Sequence, residues 1–135
     1  ELGLIEGKTS FDDLPRIWNE KFREYLGIVP PNDSLGVLQD IHWSWGNIGY
    51  FPTYTLGSMI AAQLFAAAQK DIPDLVHTIG EGKFAELRNW LNENIWRHGK
   101  KYLTKELIRR ATGKDPSPDD YLEYLENKYA GIYEL

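Results

Sequence analysis

The chain contains no cysteine in 135 residues. Disulfides and thiolate metal sites are therefore closed to it, which suits a reducing compartment. It has no stretch approaching the ~20 apolar residues of a membrane span, and nothing in it reads as a signal peptide. The expected location is the cytoplasm, with no membrane partner. Positive charge is also in short supply: 15 Lys+Arg stand against 20 Asp+Glu, a net charge of -5. No basic stripe is available to displace counterions from phosphates, so nucleic acid is excluded as a partner. The cluster Arg97-His98-Gly99-Lys100-Lys101 is too short, and too diluted by acids, to change that. Strand alternation, internal repeats and low-complexity tracts are missing as well.

What is present reads as helix almost throughout. The length is that of one domain, 1–135, able to bury roughly two-thirds of its unfolded surface. ELGLIEGK looks like the last turns of a helix closed by Gly7, and Glu1 is not an initiator methionine, so either residues were trimmed or the chain is the tail of something larger. Ser10 and Asp13 offer a capping box for a helix over Asp13–Leu26, with Pro15 in its first turn and Gly27 as its stop. Residues 28–51, rich in Gly, Pro, Asn and Asp, predict a long ordered loop with a short helical turn. Pro52–Gln69 carries no charge and predicts a buried central helix whose small residues let neighbours approach. A short helix is expected from Pro73 to Ile79. An amphipathic one follows over Lys83–His98, with Phe84, Leu87, Leu91, Ile95 and Trp96 on one face, and another over Lys105–Thr112. Ser117-Pro118-Asp119-Asp120 opens a last helix to about Tyr129. The fold class is all-α, a bundle-like arrangement with a long ordered loop ahead of the central helix.

Chemistry has few places to reside. His77 has Glu81 four residues on, but glycines flank that glutamate, and a surface or capping histidine is the better reading; His98 sits at a helix C-terminus, where an imidazolium favours the dipole. No HExxH motif occurs. The exception is GVLQDIHW (Gly36–Trp43), inside a segment where Asp33 and Asp40 are the only charges between Glu24 and Lys70. In an extended loop Asp40 and His42 leave from the same face, and a carboxylate beside an imidazole can fix its tautomer. A hydrogen-bonded structural cluster accounts for the pair equally well. Trp43, Trp45, Tyr50, Phe51 and Tyr54 read as cleft wall or core, although a tyrosine hydroxyl can also serve an oxyanion.

GVLQDIHW followed by GYFPTYTLG resembles the carboxypeptidase Taq family of zinc metallocarboxypeptidases. That family's pattern G-x-x-Q-D-x-H-W is filled by Gly36, Gln39, Asp40, His42 and Trp43. The likeness extends through DLPRIWNEKFREYLGI, AAQLFAAAQKDIPDL, the Lys83–His98 helix, LIRRATG and YLEYLENKY, essentially the whole chain. The resemblance implies an all-α enzyme that removes single residues from peptide C-termini, its zinc held by an HExxH helix and a later glutamate. Those ligands would lie upstream, so no metal ligand is assigned to this chain, and the chain alone would be inactive. The partners implied are an upstream HExxH-bearing region or chain and, in the intact enzyme, the C-terminus of a peptide substrate.

By the same resemblance His42 and Tyr54 would donate to the tetrahedral oxyanion, with Tyr50 as Tyr54's competitor. Gln39, Asp40, Trp43 and Tyr50 would line the substrate side. The alternatives are a non-catalytic helical interaction module that keeps the fold, and a ligand-binding domain that uses the aromatic cleft. A chain lacking its covering helices would expose apolar surface and self-associate, giving an expected homo-oligomer.

Overall fold

The computed structural model describes residues 1–134. Among them are seven α-helices and four 3₁₀ turns, with no strand. The chain divides into two compact units, Glu1–Thr53 and the remainder from Tyr54.

The first unit begins with helix α1 (Leu2–Ile5). Gly7 adopts a left-handed φ of 68°. Lys8 N–H then reaches the carbonyl of Gly3 (2.8 Å) and Gly7 N–H that of Leu4 (3.1 Å), so the orphan carbonyls of the helix end are satisfied. Helix α2 (Leu14–Leu26) starts one residue later than the sequence suggests. Asp13 N–H donates to Ser10 Oγ at 3.2 Å, and the Ser10 hydroxyl donates back to the Asp13 carboxylate at 2.9 Å. That hydroxyl first, and the Arg16 guanidinium second, hold the Asp13 carboxyl below its ordinary value. The contribution to stability is present above the usual carboxylate range and is lost as acid protonates Asp13.

Between α2 and the next helix the predicted single turn is three: Asp33–Leu35, Val37–Gln39 and Trp43–Trp45. The Asn32 side chain starts the first by accepting from Leu35 N–H at 3.0 Å. Val37 is buried, and its turn packs on α2. A Cβ at Gly36 would lie 3.2 Å from both the Asn32 carbonyl oxygen and Pro30 Cβ, so glycine lets the turn close without pushing them back.

The second unit is organised by helix α3 (Pro52–Asp71), whose first two residues belong to the first unit. Its burial falls on Gln63 and Ala68, while the opening turns, with Tyr54 and Leu56, are exposed. The helix stops at Asp71 because Ile72 precedes Pro73, and a residue before proline is pushed out of helical geometry. Pro73 therefore lies in the connecting turn rather than in a helical first turn, and α4 (Leu75–Gly80) follows a left-handed Asp74. The single helix expected over Lys83–His98 is α5 (Ala85–Asn94) plus a 3₁₀ turn, Trp96–His98.

Of the face the pattern suggests, Leu87 and Leu91 pack against the core and Ile95 is half-buried, but its two ends do not follow. Phe84 and Trp96 are exposed, whereas Trp90 is buried with Ala68, Ile72 and Leu75. The reason is polar: the Trp90 indole N–H donates to Asp71 Oδ2 at 2.7 Å, so the ring can enter the core with its donor satisfied. Helix α6 (Thr104–Thr112) ends at left-handed Gly113. Helix α7 (Asp119–Tyr133) is opened by Ser117 Oγ accepting from Asp119 N–H at 3.2 Å, and it runs a turn beyond Tyr129.

Gln63 fastens the α6–α7 connection to α3. Its side chain is 1% exposed. The amide nitrogen donates to Thr112 Oγ1 (2.9 Å), Asp115 O (3.1 Å) and Lys114 O (3.3 Å), and the amide oxygen accepts from Ser117 N–H (3.1 Å). Gln63→Leu keeps the volume and strands these partners, each worth about 1–3 kcal/mol when orphaned. A loss of about 2–4 kcal/mol in urea unfolding is expected, and a variant within error of the parent would refute the clasp.

Candidate active site

The polar centre of the uncharged segment is assembled by an Asx turn. Asp40 is extended (φ -80°, ψ 92°) and His42 is helical (φ -63°, ψ -36°), so the two are not held by one extended stretch. Instead Asp40 Oδ1 accepts the backbone N–H of His42 at 3.1 Å, an aspartate habit that folds the side chain over its own backbone. The same oxygen lies 3.0 Å from His42 Nδ1. Both side chains are sheltered, 18% exposed for His42 and 11% for Asp40. One carboxylate oxygen thus fixes the histidine through backbone and ring together. Because a carboxylate only accepts, Nδ1 carries the proton; Nε2 is then an acceptor in the neutral ring and a donor in the imidazolium.

The loop closes around that pair. The His42 carbonyl accepts from Trp45 N–H (3.1 Å) and Asn47 N–H (2.9 Å). Phe51 presents an edge to the imidazole at 5.0 Å, and the Tyr50 ring lies 5.5 Å away. Trp43 turns elsewhere: its indole N–H donates to Glu1 Oε1 at 2.8 Å, and Glu1 Oε2 accepts from Gly49 N–H at 2.9 Å. Gln39 donates its amide to the Ser34 carbonyl, closing the preceding turn. Beside Glu1 and Trp43 opens an apolar cavity of about 430 Å³, walled by Leu14, Trp18, Phe22 and Leu26.

Asp40, His42 and Tyr50 therefore come together in the first unit. Tyr54 begins the second, 57% exposed in the first turn of α3, with its carbonyl accepting from Ser58 Oγ at 3.1 Å. Glu1 was not legible from sequence, since no local pattern joins it to residues more than forty positions away. His77 is exposed, 3.7 Å from Glu81, which also pairs with Lys83 at 2.8 Å. His98 lies against Tyr102, ring to ring at 5.5 Å. Among the described residues no group of three or more His, Asp or Glu could hold a metal ion. No helix among them is long and apolar enough to cross a membrane.

The family model described as "Carboxypeptidase Taq (M32) metallopeptidase" matches residues 1–129. Carboxypeptidase 1 of Bacillus subtilis is 40% identical over 135 residues, which is all of this chain and 27% of that protein. Thermostable carboxypeptidase 1 of Pyrococcus furiosus is 44% identical over 126 residues, covering 93% of this chain and 25% of that one. The crystal structure of an M32 carboxypeptidase from Deinococcus radiodurans superposes with a TM-score of 0.93 at 39% identity, over 98% of this chain and 27% of that one. The chain thus spans about a quarter of the length of the relatives it matches.

The Asp40–His42 geometry makes a direct prediction. In long-range ¹H–¹⁵N spectra the His42 ring is expected to carry its proton on Nδ1, and Asp40→Ala is expected to shift the population to the Nε2 tautomer. A tautomer unmoved by Asp40→Ala would mean that the carboxylate does not set it.

Proposed function

The chain belongs to the carboxypeptidase Taq (M32) metallopeptidase family, and from that premise we propose that it is the C-terminal part of a zinc metallocarboxypeptidase. Such an enzyme releases single residues from peptide C-termini. In this reading the zinc and its HExxH ligands belong to an upstream region or chain, and this chain forms one wall of the cleft. A cytoplasmic setting belongs to the same proposal.

The observation that carries the reading is the sheltered Asp40–His42 pair, 3.0 Å apart and set among aromatic rings. Held at Nδ1, the imidazole turns Nε2 to the reacting peptide and, doubly protonated, donates a hydrogen bond to the oxyanion of the tetrahedral state. The Tyr54 hydroxyl is the second donor, with Tyr50 its competitor. Asp40 positions His42. Gln39 and Trp43, whose side-chain nitrogens are engaged by Ser34 and Glu1, contribute surface to the substrate side.

A donor to a developing oxyanion is worth about 2.7–4 kcal/mol of barrier, or 10²–10³ in kcat. In the enzyme reconstituted from this chain and an HExxH-bearing upstream region, His42→Ala and Tyr54→Phe are each expected to lower kcat by about 10² and to leave KM within a few-fold. Unchanged kcat in both variants removes the assignment. A mixture that gains neither zinc nor peptidase activity removes the enzyme reading in favour of a helical interaction module.

Large apolar side chains are open in this chain, among them Phe11 (78%), Trp45 (71%) and Leu103 (82%). In the proposed enzyme further helices or further copies of the chain cover such surface. Alone, the chain is expected to self-associate, its elution volume falling as concentration rises. A strictly monomeric profile at high concentration contradicts that.

A further inference from the structure

We propose that Glu1 is a positioning residue that clamps the His42 segment in place. Its two carboxylate oxygens take different tasks. Oε1 accepts the Trp43 indole N–H at 2.8 Å, next to His42 in sequence, and Oε2 accepts the Gly49 N–H at 2.9 Å, next to Tyr50. One side chain thus grips both ends of the stretch 43–49. Inside that stretch Trp45 and Asn47 donate to the His42 carbonyl, and at its far end stands Tyr50, 5.5 Å from the imidazole. Gly49 is left-handed (φ 75°), so its N–H is aimed by a conformation that most residues adopt only with strain.

The chemistry of the clamp selects a carboxylate. The two N–H donors meet two different oxygens, which an ionised glutamate offers and an amide, with one oxygen, does not. Glutamine there would set its NH₂ against one of the two N–H groups. Alanine would leave both donors without their partner. Bonds to a charged acceptor are the stronger kind, and the surrounding segment supplies no other acid apart from Asp33 and the already engaged Asp40. The catalytic consequence rests on the cleft reading above; the clamp itself does not.

The test therefore has two arms. In ¹H–¹⁵N spectra of the 135-residue chain, with the indole resonance assigned by Trp43→Phe, Glu1→Ala is expected to move the Trp43 indole N–H and the Gly49 amide together, upfield. Glu1→Gln, which keeps one acceptor, is expected to move one of them more than the other. Both resonances unmoved in Glu1→Ala overturns the clamp, and so does movement of one alone.

In the reconstituted enzyme Glu1→Gln is expected to lower kcat by about tenfold with KM within twofold, the size typical of groups that orient a functional side chain. A loss of thermal stability with kcat unchanged would reduce Glu1 to a structural role and overturn its positioning one. If the unmutated mixture is inactive, the cleft reading fails, and the spectra alone decide the clamp.

Discussion

An irregular segment must find partners for its backbone without a helical ladder, and that constraint shapes residues 28–51. Three short 3₁₀ turns satisfy part of the demand locally. The rest is met by side chains: Asn32 for Leu35, Asp40 for His42, and Glu1 for Gly49. Asp40 and Glu1 thus give acceptors to the backbone N–H groups of His42 and Gly49, and the Asn32 side chain adds a second acceptor to an N–H that its own carbonyl also receives. What first reads as an uncharged stretch is one in which the two acids, Asp33 and Asp40, are accompanied by a third from outside.

The second unit meets the same constraint with a neutral group. The connection between α6 and α7 exposes carbonyls and an N–H to the interior, and Gln63 answers both because an amide donates and accepts. A carboxylate could not donate to the Lys114 and Asp115 carbonyls, and a lysine could not accept from Ser117. Asp71 is the counterpart for the core, giving the Trp90 indole an acceptor so that a large ring can be buried beside Ala68 and Leu75. Both side chains lie on α3, so a helix poor in charge gives the second unit its polar anchors.

Local chemistry explains which features were legible in the sequence. Helix ends written in glycine could be read: Gly7, Gly27, Gly99 and Gly113 all take the positive φ that stops the preceding turn. Periodicity located every helix and placed Leu87 and Leu91 on the core side of α5, but it missed Trp90, whose burial beside them depends on Asp71, nineteen residues away. Pro73 signalled a break, yet its effect falls on the end of α3 rather than on the start of α4. At the candidate site the Asp40–His42 pair was legible because its two members are two residues apart. The geometry that joins them, an Asx turn rather than a shared strand face, depends on φ and ψ that no composition specifies. Glu1 was invisible for the opposite reason, since its bonds span 42 and 48 positions.

These contacts also set what His42 can do. The oxygen that accepts its backbone N–H also faces Nδ1, so rotating the ring away would break a bond to the same carboxylate that shapes the turn. A change of tautomer or rotamer would give up the Nδ1 contact with Asp40, and the Phe51 and Tyr50 rings lie against the imidazole on two sides. A solvated surface histidine such as His77 carries none of these constraints. Rigid placement of one ring nitrogen, within a segment gripped at both ends, is what a group needs if it is to meet a charge that develops only during a reaction. A structural histidine under a loop can be held by the same two bonds, so it is the proposed cleft-wall role, not the packing of GVLQDIHW, that makes use of a fixed Nε2 direction.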